Sequence, residues 1–268
     1  MKWEDLYERI QISDNADNSF EHVCSYAEAI GFQYVSYVMC VPSLNSVARW
    51  LRFETLPEGW REHYAAKKYA EIDPILKRGM NSIDPLVWSA RQFADAPQIW
   101  ADAQSFGLRA GISQPCWAAQ GVFGVLTFLR DKPALSDGEV SMLRRQMQIV
   151  TNLLHLAMYE QLDVPSINCV AEVNLTARER EILRWTSEGK TAEIIGTILN
   201  ISTRTVNFHI SNVLTKLVAV NKVQAVAKAR TFGLLERRSV LRRYGSKDAP
   251  ALVRQKFYPC KFSLIPQF

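Results

Sequence analysis

The 268-residue sequence contains no apolar run approaching the length of a bilayer crossing, so a membrane-spanning chain is excluded and no membrane partner is expected. Its first residues, MKWEDLYERI, are acidic and amphipathic and lack the apolar centre of a signal peptide, which points to a cytoplasmic protein. Cysteine is scarce and scattered. Cys24, Cys40, Cys116, Cys169 and Cys260 form no CxxC pair, and their odd number argues against a disulfide scaffold. His22, His63 and His155 stand far apart, with no HExxH or other metal-ligand spacing. A GxSxG elbow, a P-loop and a GxGxxG fingerprint are missing as well. No catalytic residue, metal site or cofactor is therefore expected, and the enzyme class is disfavoured.

Length and charge say more. The chain is long enough for two domains, and its net charge of +5 is unevenly spread. Residues 1–165 hold 15 Lys and Arg against 20 Asp and Glu, residues 166–236 hold 9 against 6, and residues 237–268 hold 8 against 1. A basic C-terminal third on an acidic body suits a partner that carries phosphates.

That third contains the most strongly punctuated stretch. Residues 175–235 read as four short helices with a start or stop signal at nearly every boundary: a Thr176/Glu179 capping box, Gly189, Thr191, Ser202 and Gly233. At 100° per residue from Val206, the positions Ile210, Val213, Leu214 and Leu217 share one face of the third helix. Arg204, Phe208, Ser211 and Thr215 point the other way, with Asn207 at the border. This is the pattern of a helix-turn-helix reader of double-stranded DNA. An aromatic in the middle of a polar face fits contact with a thymine methyl or sugar, and packing against another domain is the competing explanation. Lys190 and Lys216 are phosphate candidates.

Residues 1–162 read as a separate domain. Helical periodicity covers Trp3–Ile12 and Phe20–Ile30, Pro57–Lys68, Pro74–Met80 and Pro97–Phe106. Strand-like runs cover Tyr34–Val41 and Val47–Glu54, joined by a turn with Pro42, Ser43 and Asn45, and then LVW after Pro85. Two more, Ile112–Ala118 and Val122–Arg130, flank a turn at Gln120–Gly121. Ser136 and Glu139 open a long helix. The expected fold is α+β: an α/β/α sandwich on an antiparallel sheet, plus an all-α four-helix domain. Residues 163–174 lack periodicity and read as the linker, and 236–268 as a basic C-terminal extension.

Within the first domain, amphipathic aromatics surround a carboxylate. Trp60 and Tyr64 are four apart on one helix, Asp73 follows, and Trp88 ends a short strand. These residues also have plain structural uses: aromatics as core, and Asp73–Pro74 as an N-cap with Pro at the first helical position. As a pocket, they would offer an indole N–H, a phenol and a carboxylate to a small amphiphile with carbonyls, an N–H and an alkyl tail.

The run WREHYAAKKYAEIDPI, then LVWS, then FGLRAGISQP, resembles the autoinducer-binding domain of LuxR-family quorum-sensing regulators over most of residues 1–165. The resemblance implies a ligand of the N-acyl-homoserine lactone class. It places Trp60 on the lactone carbonyl, Tyr64 on the amide carbonyl, Asp73 on the amide N–H, Trp88 against the lactone ring and Thr127 in the carbonyl region, with Gly111 serving backbone geometry. Leu56 and Ile75 stand where some relatives carry Tyr and Thr, which implies a smaller polar network and a less oxygenated acyl chain.

LTAREREIL, GKT, TVNFH and the KL…NK run resemble the LuxR-type helix-turn-helix, which implies that Asn207, Phe208 and Ser211 face the major groove. Relatives usually carry Glu where Ile194 stands, so the Thr191 cap is expected to be one-sided, at a cost of about 0.5–1 kcal/mol. The extension, which follows where relatives generally finish, fits added nonspecific DNA affinity, docking on the acidic domain, or an incidental tail.

The expected protein is a ligand-responsive transcription factor, a homodimer on palindromic DNA, with the autoinducer and RNA polymerase as further partners. Two competing classes remain: a response-regulator-like protein or one answering a non-lactone molecule, and an enzyme acting on the lactone itself. The paired antiparallel strands at Tyr34–Glu54 and Ile112–Arg130 argue against a receiver domain.

Overall fold

The computed structural model describes residues 3–43, 47–164 and 173–235. The chain divides after Leu234 into two units; the second, like residues 165–172 of the expected linker and Asn45 of the first turn, lies outside the described residues save Leu235.

The N-terminal part is an antiparallel sheet between two helical layers. Helices α1 (Trp3–Gln11) and α2 (Ala16–Ala29) precede strands β1 (Tyr34–Val41) and β2 (Arg49–Glu54). Helices α3 (Trp60–Ala66) and α4 (Pro74–Gly79), strand β3 (Leu86–Val87) and helix α5 (Pro97–Ser105) follow. The hairpin β4 (Ala110–Trp117) and β5 (Phe123–Arg130) leads into helix α6 (Asp137–Gln161). The strands lie in the order β2-β1-β5-β4-β3, every neighbour antiparallel.

Most boundaries follow from local chemistry. Helix α2 starts four residues ahead of Phe20, because the Asn15 side chain accepts the Asn18 N–H at 2.9 Å and caps it there. Helix α3 is shorter than the Pro57–Lys68 periodicity, since Gly59 takes a left-handed φ of 79° just before Trp60. The β4–β5 turn places Gln120 and Gly121 at φ 59° and 72°. Ser136 and Glu139 form a full capping box on α6.

Alternation along the strands sorts the two cores. Val35, Tyr37, Met39, Leu126 and Phe128 face α1, α2 and α6. Val38, Phe123, Val125 and Leu129 face the layer that holds Trp60, Ile75 and Ile99. Gly111 permits the closest backbone approach in the sheet, because a Cβ there would sit 2.6 Å from the Phe128 carbonyl oxygen and a Leu129 methyl. The first core buries one polar pair: the Tyr37 hydroxyl lies 2.5 Å from His155 Nδ1. Burial lowers the His155 pKa to about 4, so the imidazole is neutral in its hydrogen bond with the phenol.

The C-terminal part is four helices: α7 (Ala177–Ser187), α8 (Ala192–Leu199), α9 (Thr203–Lys216) and α10 (Lys222–Thr231). Ile182, Ile195, Val206 and Ile210 form its core. Thr176 and Glu179 make the reciprocal cap of α7, and Ser202 caps α9 through the Thr205 N–H at 3.1 Å. At α8 the Thr191 hydroxyl accepts the Ile194 N–H at 3.3 Å, while Ile194 itself is exposed and returns nothing. The ends of the expected linker are tied down: Val164 is buried in the first core, and the Asn174 carbonyl accepts from Lys216.

Candidate functional site

Trp60, Tyr64, Asp73, Trp88 and Thr127, read separately from the sequence, come together around one cavity between the sheet and α3–α5. The short helix α3 places Trp60 and Tyr64 one turn apart, their rings 5.9 Å between centroids. Tyr64 donates its hydroxyl proton to Asp73 Oδ2 at 2.7 Å, and Asp73 Oδ1 accepts the Ile75 N–H at 2.7 Å. Asp73 is thus an N-cap and a pocket wall at once, so its structural and functional readings coexist. Burial raises the pKa of Asp73 above the ordinary carboxylate value, partly offset by these two hydrogen bonds. Burial and the neighbouring carboxylate raise Tyr64 as well, which keeps its phenol protonated and able to donate.

The far wall is a chain of hydroxyls. Trp88 Nε1 donates to Ser113 Oγ at 2.9 Å, and Ser113 Oγ lies 2.8 Å from Thr127 Oγ1. Trp60, only 4% exposed, has no hydrogen-bond partner for its indole N–H among the described residues. The indole N–H is therefore a donor without an acceptor, on a side chain that lines the cavity. Leu56 and Ile75 line the cavity with apolar surface, as their residue types require.

Four polar residues that line the cavity, and Ser113 beside it, escaped the sequence reading. Ser36 and Glu54 line it from β1 and β2. The Arg52 guanidinium lies 5.6 Å from the centre of the Tyr64 ring, and Arg61 Nε is 3.4 Å from Glu54 Oε1. Ser113 completes the hydroxyl chain. Strand alternation in RFE and ISQ was the one available signal for Glu54 and Ser113, and it names no partner.

At the other end of the chain, Arg204, Asn207, Phe208 and Ser211 lie on the exposed side of α9, opposite buried Val206, Ile210 and Val213. Phe208 is 62% exposed, and among the described residues its one aromatic neighbour is His209. Lys190 is exposed at the turn before α8. Lys216, expected as a phosphate candidate, has partners within the protein. Its ammonium donates to Glu179 Oε2 at 2.7 Å and to the Asn174 carbonyl at 3.0 Å, because α9 carries it over the start of α7. Burial pushes the Glu179 pKa up, but the bonds from Lys216 and Thr176 outweigh it and leave the carboxylate net lowered.

A buried amphiphile pocket on one part of the chain and an aromatic-bearing recognition helix on another define a small-molecule-responsive, DNA-binding transcription regulator. Comparison with known proteins narrows the class. Residues 15–158 match the autoinducer binding domain, and residues 173–229 match the bacterial regulatory proteins of the luxR family. The transcriptional activator protein SolR of Ralstonia nicotianae is 41% identical over 233 residues, covering 87% of this chain and 98% of that one. The crystal structure of Escherichia coli SdiA superposes with a TM-score of 0.70 at 31% identity, over 87% of this chain and 97% of that one. A second SdiA structure, in complex with octanoyl-rac-glycerol, gives 0.68 at 31% identity over 87% of this chain and 94% of that one. The chain belongs to the LuxR family of quorum-sensing transcriptional regulators. Among the described residues no helix is long and apolar enough to cross a membrane, and no His, Cys, Asp and Glu group could hold a metal ion.

Proposed function

We propose that the chain binds an N-acyl-homoserine lactone in its N-terminal cavity and, as a homodimer, reads a two-fold symmetric promoter site through α9. The observation that carries the ligand assignment is that Trp60, whose indole N–H has no hydrogen-bond partner among the described residues, lines the same cavity as the hydrogen-bonded Tyr64–Asp73 pair. A lactone carbonyl supplies the acceptor that Trp60 lacks. The amide of the ligand can meet both members of the pair: Tyr64 turns its one hydroxyl proton from Asp73 to the amide carbonyl, and the amide N–H takes its place at the carboxylate. Thr127 then sits against the carbonyl region, Trp88 packs on the ring, and the apolar side chains Leu56, Ile75 and Val125 take the alkyl tail. In this reading the lactone is a signal that these groups bind rather than a substrate.

On the DNA side, Arg204, Asn207, Phe208 and Ser211 contact the major groove and Lys190 a phosphate, in a cytoplasmic protein that acts on transcription with RNA polymerase. Dimerisation rests on α6, where Met142, Ile149 and Leu156 repeat every seven residues along a 25-residue helix and stay exposed. Val220 and Val223 at the start of α10 offer a second apolar surface.

The test is a melting-temperature screen of the full chain against acyl-homoserine lactones of increasing length, with octanoyl-rac-glycerol alongside. A rise with a lactone, lost in Trp60→Ala, is the expected result. A rise with the glycerol ester alone favours a non-lactone ligand, and release of the ring-opened acid would make the protein an enzyme.

A further inference from the structure

The strand register lines up a row of polar side chains that crosses the whole cavity floor. Glu54 on β2 pairs with Ser36 on β1, Ser36 pairs with Thr127 on β5, and Thr127 pairs with Ser113 on β4. Directly opposed residues on neighbouring strands project from the same face, about 4.8 Å apart from strand to strand. The row therefore runs carboxylate, hydroxyl, hydroxyl, hydroxyl, and the Trp88 indole N–H closes it at Ser113.

The two halves of this row differ in how well they are satisfied. Ser113 and Thr127 bond to each other, and Ser113 also accepts from Trp88. Ser36 has no hydrogen-bond partner for its hydroxyl among the described residues, although it lines the cavity. Glu54 Oε1 is buried and accepts no hydrogen bond. Arg61 Nε lies 3.4 Å from that atom on a side chain 59% exposed to solvent, and Arg52 lines the same cavity over the Tyr64 ring. Among the described residues, the β1–β2 half of the floor thus presents a carboxylate oxygen that accepts no hydrogen bond beside a hydroxyl that makes none. Both residues line the cavity in which the lactone reading places the amide at Tyr64 and Asp73.

We infer that Ser36 and Glu54 are specificity-determining residues that select an acyl chain bearing a hydroxyl on its third carbon. The inference rests on the lactone reading above. A hydroxyl both donates and accepts, so it can give its proton to Glu54 and take one from Ser36. A keto group at that carbon brings only lone pairs towards the carboxylate, and an unsubstituted methylene leaves Glu54 Oε1 as it stands. The third carbon lies two bonds beyond the amide carbonyl, which places its substituent about one strand spacing from Thr127, above Ser36. This departs from the expectation, drawn from Leu56 and Ile75, of a less oxygenated chain: the polar groups are present, supplied by different strands.

The experiment is calorimetric titration of the full chain with unsubstituted, 3-oxo and 3-hydroxy acyl-homoserine lactones, each from hexanoyl to dodecanoyl, on wild type, Ser36→Ala and Glu54→Gln. At the best chain length, wild type is expected to bind the 3-hydroxy ligand about tenfold more tightly than the unsubstituted one, with the 3-oxo ligand weakest. Ser36→Ala narrows the first gap. Glu54→Gln exchanges a pure acceptor for a side chain that also donates, and raises the 3-oxo ligand to the level of the 3-hydroxy one. Wild-type binding in which the unsubstituted or 3-oxo ligand equals the 3-hydroxy one overturns the inference and leaves the lactone reading intact. Failure of every lactone to bind overturns both. If Glu54→Gln does not fold, the wild-type ranking and Ser36→Ala decide the matter.

Discussion

Acidification destabilises this protein through one buried imidazole. His155 is 2% exposed, its Nδ1 is hydrogen-bonded with the Tyr37 hydroxyl, and burial lowers its pKa from 6.5 to about 4. Above pH 6.5 the folded and unfolded chains both carry a neutral ring, and His155 contributes no pH dependence. Between pH 6.5 and pH 4 the unfolded chain takes up a proton that the folded chain refuses. Stability therefore falls with pH in this window, at up to about 1.4 kcal/mol per pH unit, for a total of about 3 kcal/mol. Below pH 4 the folded ring protonates too and the loss stops growing. The assay is the urea midpoint as a function of pH, for wild type and for His155→Gln, which keeps an acceptor and cannot titrate. Subtracting the two curves cancels every other titrating group. The expected difference has a step confined to the window between the two pKa values, with wild type losing more. Parallel curves would refute the reasoning.

Other substitutions separate structural from DNA-facing roles. Lys216→Met strands the buried Glu179 carboxylate and, because the ammonium is partly solvated, should cost about 1–2 kcal/mol in thermal unfolding. It should leave the salt slope of DNA binding unchanged, whereas Lys190→Met lowers that slope by about one. Val218 adopts a left-handed φ of 48° at the end of α9, a strained conformation for a β-branched residue, so Val218→Gly should raise stability by about 1 kcal/mol in denaturant titration. Ile194→Glu completes the one-sided cap at Thr191 and should add about 0.5–1 kcal/mol; an unchanged or lower melting temperature would count against that reading.

What could be read from the sequence was whatever depends on near neighbours. Ser136 with Glu139, and Thr176 with Glu179, are three apart, so their capping boxes are visible in the letters alone. Trp60 and Tyr64 are one helical turn apart, and Asp73 before Pro74 announces a helix start. The split of α9 into a buried and an exposed face needed only the helical period. What stayed hidden depends on pairing between distant strands and helices. Ser36 meets Thr127 across 91 positions through the β1–β5 register, which no local pattern specifies. Lys216 looked like a surface cation because Glu179, 37 residues earlier, gives no hint of lying beneath it. The Tyr37–His155 pair, 118 positions apart, was likewise invisible, and His155 looked like one more solitary histidine.

The account turns on the Trp60 indole N–H as the free donor of a lactone pocket. Trp60→Phe keeps the aromatic body and removes that one hydrogen, so calorimetric titration of both proteins with the lactone that wild type binds best isolates it. One ligand per chain in wild type, and binding weakened about tenfold or more in Trp60→Phe, is the predicted result. Equal affinity in the two proteins would contradict the account.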